Sequence, residues 1–179
     1  GAAKKIGQLA LGRPVTGPQS ETVQVPIDLT QEEEFDGMPP GSRGGAVAKF
    51  YLPVDAEYEV QLRLARDRDD HVEGLKKNHE IDLLVDGEPV QRFTVTPPPP
   101  RMPHHNVDRH LTVRVPLKAG PHEIGATFVR AATVIVEAER QPTLARFNMD
   151  RHPRLQPALY SIALAGPYNP PGPGDTAAG

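Results

Sequence analysis

The sequence predicts an all-β protein, an antiparallel two-sheet β-sandwich of jelly-roll type. Apolar residues recur at every second position in most runs, which is the period of a half-buried strand. Turn-forming residues separate these runs, with 21 prolines and 16 glycines in 179 residues. A capped amphipathic helix is not recognisable anywhere in the sequence. The length and the 37% hydrophobic content suit one domain with a real core.

The predicted strands follow in order along the chain. The run TVQVPIDL places Val23, Val25, Ile27 and Leu29 on one face, and EYEVQLRL does the same with its own apolar residues. Further strands are predicted at AVAKFYL, HEIDLLVD, PVQRFTV, HLTVRVPL, HEIGATFV and ALYSIAL, separated by Asp86-Gly87, Pro97 to Pro100 and Ala119-Gly120-Pro121. We therefore expect eight or nine strands.

The alternation also predicts the core and the domain limits. Residues 1–20 are expected to be a flexible N-terminal edge, 21–168 a single sandwich domain, and 169–179 a flexible Pro/Gly-rich C-terminal edge. Both edges resemble cut ends of a longer protein. The predicted core consists of Val25, Ile27, Val60, Leu62, Ile81, Leu83, Phe93, Val113, Val115, Ile124, Phe128 and Ile162.

Charge and composition exclude several classes of function. The net charge is -3 and the sequence contains no block of Lys and Arg, so we expect no nucleic-acid partner. The sequence contains no apolar run approaching a bilayer-spanning length, so no membrane insertion is expected. With no cysteine, the chain forms no disulfide, thiolate zinc site, iron–sulfur cluster or covalent haem.

Enzyme motifs are also missing. The sequence contains no GxSxG elbow, no HExxH, no cysteine nucleophile and no phosphate-binding glycine loop. We therefore predict a protein that is not an enzyme.

An acidic stretch after the second of these alternating runs is the first candidate site. The segment DRDDHVEGL carries Asp67, Asp69 and Glu73 at a spacing that lets carboxylates converge on one calcium ion. An EF-hand is excluded, because His71 and Val72 stand where that loop requires an oxygen ligand and a glycine.

An earlier stretch, EFDGM, has a similar order of acidic, apolar and glycine residues to HVEGL. It adds Glu34 and Asp36, so the candidate calcium ligands are Glu34, Asp36, Asp67, Asp69 and Glu73 at one rim of the sandwich. The alternative is a solvated charge cluster in which Arg43, Arg66 and Arg68 neutralise the acids.

Polar side chains that could bind sugar hydroxyls form a second candidate set. The predicted ligand-binding residues are Arg68, Asp69, Glu73, Glu139, Arg140, Gln141, Arg151 and His152. The alternative for the last five is a salt-bridged loop that braces the final strand. The string HHNVDRH, from His104 to His110, suits zinc chemically, or it is a polar loop without the helical spacing of a specific site.

Aromatic residues limit the kind of glycan site. The chain has no Trp, and of its four tyrosines only Tyr168 lies outside the predicted strands. A flat stacking platform is therefore not expected, and glycan binding would depend on hydrogen bonds, charge or a metal.

Two groups of motifs resemble known families. The runs IDLLVDGEPVQRFTV and LTVRVPLKAGPHEIGATFV resemble the hairpins of calcium-dependent xylan-binding modules, with their VDG turn and L-x-AG-x-H-x-I strand pair. In those modules an Asn-Asp pair that helps to hold calcium follows the last strand, whereas this chain continues Val129-Arg130-Ala131-Ala132. The resemblance therefore does not imply calcium here.

A second resemblance covers nearly the whole chain. DLTQEEEFDGMPPGSRGG and AERQPTLARFNMDRHPRLQPALYSIALAGPY are similar to the carbohydrate-binding-like domain of large planctomycete-type cytochrome-associated proteins. The resemblance implies a polysaccharide-binding module in an extracytoplasmic protein that has covalent haem elsewhere. The alternative is a docking domain that positions neighbouring redox domains of the parent protein and binds no glycan.

Overall fold

The computed structural model describes residues 4–6, 18–130 and 154–170. In these residues the regular secondary structure consists of strands, which are joined by turns and loops. Its nine strands are β1 (Lys4–Ile6), β2 (Gln19–Gln24), β3 (Ser42–Leu52), β4 (Ala56–Leu64), β5 (His79–Val85), β6 (Glu88–Val95), β7 (Thr112–Leu117), β8 (Gly120–Val129) and β9 (Leu159–Tyr168). All eight predicted runs form strands. Among the described residues, no helix has the length and apolarity needed to cross a bilayer.

The strands form two sheets that pack face to face. The first sheet has the order β1-β3-β8-β5-β6 and the second the order β2-β9-β4-β7. Neighbouring strands are antiparallel except β1, which pairs in parallel with β3. This arrangement confirms the predicted all-β sandwich of jelly-roll type.

The core lies between the sheets and largely follows the predicted alternation. Ten of the twelve predicted core residues are buried: Val25, Val60, Leu62, Ile81, Leu83, Phe93, Val115, Ile124, Phe128 and Ile162. Val113 is partly buried and packs against the same cluster.

Ile27 is the exception, because its side chain is 40% exposed. Strand β2 ends at Gln24, and the Val25 N–H still donates to the Tyr160 carbonyl, but Pro26 has no N–H for a ladder hydrogen bond. A turn closed by the Leu29 N–H to the Pro26 carbonyl then breaks the period of two. The prediction that Ile27 is a core residue is therefore wrong.

The predicted N-terminal boundary also differs from the structure. Strand β2 begins at Gln19, and Lys4–Ile6 pairs with Val47, Ala48 and Lys49 of β3. The sheets therefore use residues from the segment predicted as a flexible edge. Residues 171–179 of the predicted C-terminal edge lie outside the described residues.

Three loops meet at one end of the sandwich, where β2 and β4 end and β9 begins. These loops are residues 25–41, 65–78 and 96–111, and together with residues 154–158 they are called the upper rim below. The opposite end holds the short β3–β4, β5–β6 and β7–β8 turns.

The buried side chain of Gln31 ties the two sheets together at the upper rim. Its Nε2 donates to the Leu159 carbonyl at 2.8 Å, and its Oε1 accepts from the N–H groups of Leu159 at 2.9 Å and Gly45 at 3.1 Å. Gly45 lies in β3 and Leu159 in β9, so one amide joins both sheets. The bulge in β3 that presents Gly45 requires glycine, because a Cβ there would lie 1.9 Å from the Ala126 carbonyl oxygen.

Arg43 is buried beside this amide. Its Nη1 donates to the carbonyls of Gln31 and Pro157, and its guanidinium carbon lies 4.3 Å from the ring centroid of Phe128. Burial lowers the pKa of Arg43 to about 10, although the charge of Glu32 opposes this shift. Arg43 therefore braces the upper rim from inside, instead of neutralising surface acids.

At the opposite end, the two motifs of the VDG and AGPH hairpins bind each other. One Asp86 oxygen accepts from the Glu123 N–H at 2.8 Å, and the other lies 2.7 Å from His122 Nδ1. His122 Nε2 lies 2.7 Å from the Lys118 carbonyl oxygen. The two turns thus form one hydrogen-bonded unit.

We predict that Gln31→Ala lowers the free energy of unfolding by about 3 to 5 kcal/mol, because it leaves three buried backbone groups without their partner. Urea denaturation followed by circular dichroism measures the change. The control is Gln24→Ala, an exposed glutamine of β2, which should cost less than about 0.5 kcal/mol. Equal losses in both variants would contradict this role of Gln31.

Candidate functional site

Arg154 joins two acid-bearing loops of the upper rim. Its Nη1 donates to the Leu29 carbonyl at 3.0 Å, and its Nη2 donates to the Ile27 carbonyl. Its backbone N–H donates to Glu73 Oε2 at 3.1 Å. Burial lowers the pKa of Arg154, and the charges of Glu73 and Glu32 oppose that shift. A buried cation therefore lies beside Glu73, one of the five predicted metal ligands.

The acidic stretch after β4 closes on itself. Asp67 Oδ1 accepts from the backbone N–H groups of Asp69 at 2.8 Å and His71 at 3.0 Å. The Asp67 N–H donates to the His71 carbonyl, and Asp70 takes a positive φ of 62°. Such an Asx turn needs an aspartate for local geometry, without any ligand.

The five predicted metal ligands do not come together. Phe35 and Met38 pack toward Val47 and Leu84, which carries Asp36 onto the outer face of the first sheet and away from the acidic turn. Within the described chain, which includes all five acids, no group of three or more His, Cys, Asp or Glu side chains is placed to hold a metal. The predicted convergence of five acids on one ion is therefore not found. Calcium binding by the protein stays a prediction.

The predicted sugar ligands divide into two groups. Arg68 and Asp69 are exposed on the acidic turn, and Glu73 is half-buried against Arg154. The remaining five, Glu139, Arg140, Gln141, Arg151 and His152, lie outside the described residues.

The HHNVDRH string supports the loop rather than converging on a metal. His104 Nδ1 accepts from the Val72 N–H at 3.2 Å, and His110 Nε2 lies 2.6 Å from the Thr94 carbonyl oxygen. Burial, together with the charges of His71 and Arg66, lowers the pKa of His104. These contacts favour the polar-loop interpretation of the string.

Asp108 is fully buried and anchors Arg66. Its Oδ2 accepts from Arg66 Nη1 at 2.8 Å and from the Leu64 N–H at 2.9 Å, and its Oδ1 accepts from Arg66 Nη2 at 3.1 Å. Burial alone would raise the pKa of Asp108, but the hydrogen bonds of Arg66 and Leu64 and the charges of Arg66 and Arg63 outweigh it and lower the pKa. The guanidinium of Arg66 is therefore fixed at the end of β4.

A cleft of about 540 Å³ opens beside this pair, where the outer face of the second sheet meets the upper rim. Ile27 and the ring of Tyr160 contribute apolar surface to its wall. Polar groups of four types converge on the same space: a hydroxyl, an imidazole, a carboxylate and guanidinium groups. They belong to Ser161, His105, Asp70, Arg63 and Arg66.

A bulge in β9 places Tyr160 in this cleft. Arg63 pairs with Ser161 and the next residue, Leu64, pairs with Leu159, so Tyr160 is the extra residue of the pairing. Strict alternation would point Tyr160 to the core, on the same side as Ile162. Tyr160, Arg63 and Ser161 are therefore not recognisable as cleft residues from the sequence, because a bulge leaves no mark in the alternation of a single strand.

Comparison with known proteins finds no sequence relative: no family model matches the chain, and no curated protein matches it. A β-glucosidase from Paenibacillus barengoltzii matches in structure with 12% identity and a TM-score of 0.40, over 91% of this chain and 11% of that chain. CBM35 from Cellvibrio japonicus Abf62 matches with 13% identity and a TM-score of 0.40, over 86% of this chain and 100% of that chain.

A family 35 carbohydrate binding module from an environmental isolate matches with 14% identity and a TM-score of 0.38, over 84% of this chain and 98% of that chain. This chain thus spans about a tenth of the β-glucosidase and nearly the full length of the two modules. At these values the likeness carries no functional argument.

We predict that Asp108→Asn lowers the free energy of unfolding at neutral pH by about 3 kcal/mol, because it breaks a buried ion pair and leaves Arg66 partly uncompensated. The lowered pKa of Asp108 means that its stabilisation is complete above the unfolded value of 3.8 and is lost as the pH falls through the folded value. The difference between wild type and variant should therefore shrink below that pH.

Urea titrations at a series of pH values measure this difference. The matched control is Glu59→Gln, which removes an exposed carboxylate 3.6 Å from Arg114 and should cost less than about 1 kcal/mol. A gap between wild type and Asp108→Asn that stays constant with pH would contradict the assignment.

Proposed function

We propose that this chain is a non-catalytic carbohydrate-binding module and that the cleft at Tyr160 holds the sugar. The observation that carries the proposal is the joint presence of an apolar wall and converging polar groups in a cleft of about 540 Å³. That size and composition are typical of a site for a small organic ligand.

The chemistry of a sugar ring matches this wall. A pyranose has a face of C–H groups that packs on an aromatic ring, and a rim of hydroxyls that both donate and accept hydrogen bonds. Tyr160 supplies the ring, Arg63 supplies planar donors, and Asp70 supplies acceptors.

The pair of Arg66 and Asp108 keeps the polar side of the cleft rigid. Arg66 bonds Asp108 with two nitrogens and also lies 3.2 Å from Asp70 through Nε. A charged group held in this way loses little conformational entropy when a ligand binds. The site therefore needs no metal to orient its side chains.

Tyr160→Ala should weaken polysaccharide retention at least tenfold, equivalent to about 1.4 kcal/mol, because it removes the stacking surface. Affinity electrophoresis in native gels cast with soluble polysaccharides gives the readout. Tyr51→Ala is the control, since Tyr51 is also half-buried but lies on a strand of the other sheet. Unchanged retention by Tyr160→Ala would remove the cleft as the binding site.

If the wild-type protein retains no polysaccharide, with calcium or without it, we infer the alternative function, a docking domain that positions neighbouring domains of the parent protein. Exposed large apolar side chains would then be the first surface to test. In the described chain they include Ile27, Val54, Val90, Met102 and Leu155.

Calcium assistance at the acidic turn is a separate part of the proposal. The amides of Asp69 and His71 both bond to Asp67 Oδ1, so an ion would be bound through the other Asp67 oxygen and through Asp69. If calcium binds, addition to chelator-treated protein should release heat and raise the melting temperature by mass action. Asp69→Ala should abolish both effects. If the wild-type protein releases no heat on addition of calcium, the proposal of calcium binding is wrong.

We further propose that the parent protein is extracytoplasmic and of the cytochrome-associated type. The support is the resemblance of the sequence motifs described above. Antibodies against this domain should capture a larger polypeptide from the periplasmic or cell-surface fraction, and this polypeptide should show haem absorbance. Capture of a haem-free protein from the cytoplasm would contradict the assignment.

A further inference from the structure

The outer face of the second sheet continues the cleft as a shallow channel. Strand β9 lies in the interior of this sheet, and its outward residues Ser161, Ala163 and Ala165 are small. Each is paired on one side with β2 and on the other with β4. The floor of the channel therefore follows β9 from the upper rim toward the opposite end.

Taller polar side chains flank this floor. On the β2 side, the exposed residues Gln24 and Thr22 pair with Ser161 and Ala163. On the β4 side, Arg63 and Gln61 pair with the same two residues. Hydroxyl, amide and guanidinium groups thus line both walls, and each can hydrogen-bond a hydroxyl.

A second cleft, of about 370 Å³, lies at the far end of the same face. Glu57 and Asn169 line it, and Arg114 lies with its guanidinium carbon 3.9 Å from the ring centroid of Tyr168. Tyr160 and Tyr168 therefore stand at the two ends of the channel. Tyr168 follows Tyr160 by eight positions, which correspond to about 25 Å along a strand.

Charges on this face cancel. The carboxylate of Glu59 lies 3.6 Å from Arg114, and Arg63 lies 3.8 Å from the buried Asp108. Along the channel, the two acids Glu57 and Glu59 are therefore matched by the two bases Arg63 and Arg114. A face of this kind offers no net field to a polyanion, whereas its paired groups suit neutral hydroxyls.

Resting on the proposed carbohydrate function, we infer that the ligand is an extended, uncharged polysaccharide chain that lies along β9, from Tyr160 to Tyr168. The module thus binds the interior of a polymer, not a chain end or a single sugar. Affinity should rise with oligosaccharide length until the channel is filled, because each added unit contacts more of the walls.

Affinity electrophoresis compares neutral polymers (arabinoxylan, galactomannan and mixed-linkage β-glucan) with acidic ones (polygalacturonate and alginate). The wild type should retain at least one neutral polymer and no acidic one. Ala163→Trp, which blocks the middle of the channel, should reduce retention at least tenfold. Thr94→Trp, an exposed position in β6 of the other sheet, is the matched control and should bind as the wild type does.

Circular dichroism melting shows whether Ala163→Trp is folded. The double variant Thr22→Ala and Gln61→Ala trims both walls without adding bulk, and it should also weaken retention of the neutral polymer. These changes leave Tyr160 intact, so they separate the channel from the cleft.

Each remaining outcome has a distinct meaning. If Ala163→Trp and the double variant retain the polymer fully while Tyr160→Ala loses it, the ligand binds only in the cleft. That result would contradict the proposed binding along the channel. Retention of polygalacturonate or alginate by the wild type overturns the uncharged ligand. Failure of the wild type to retain any polymer overturns the proposed carbohydrate function itself.

Discussion

The geometry of the upper rim depends on the hydrogen bonds of one buried amide. Gln31 binds both backbone groups of Leu159 and the N–H of Gly45, so it fixes the start of β9 relative to β3 of the other sheet. Because Leu159 is held there, the next residue becomes the bulge, and Tyr160 points outward into the cleft. A buried side chain that does not line the cleft thus determines how Tyr160 is placed in its wall.

The fold could be predicted from the sequence because the alternation in strands such as β4 is strict: Tyr58, Val60, Leu62 and Leu64 are all buried. The cleft could not. Strict alternation assigns Tyr160 to the core side of β9, and a bulge turns it outward. Tyr168 lies beyond the predicted run and belongs to β9 only in the structure. A bulge depends on the register with the neighbouring strand, and this register is not encoded in the local pattern of β9.

The acid residues show a different limit of sequence analysis. Their spacing predicts a shared ion, but two of the five acids have other partners in the fold: Asp67 binds amides of its own turn, and Glu73 binds the N–H of Arg154. Phe35 and Met38 also draw Asp36 toward the first sheet. Local hydrogen bonding and apolar packing therefore decide the placement of these acids, and the five of them do not form one cluster.

Ion pairs between the acidic turn and Arg66 also explain why the cleft and the acidic turn lie next to each other. Asp70 enters a left-handed conformation only because Asp67 closes the turn, and from there it lies 3.2 Å from Arg66. Arg66 is bound from its other side by Asp108, so its charge is compensated before any ligand arrives. The five N–H groups of Arg66 face Asp108, Asp70 and the carbonyls of Leu64 and His104, so this guanidinium holds Asp70 in place and has no donor left for a ligand. If the proposed carbohydrate function holds, the acidic stretch after β4 contributes to the site by placing the Asp70 carboxylate at the cleft, where Arg66 fixes it.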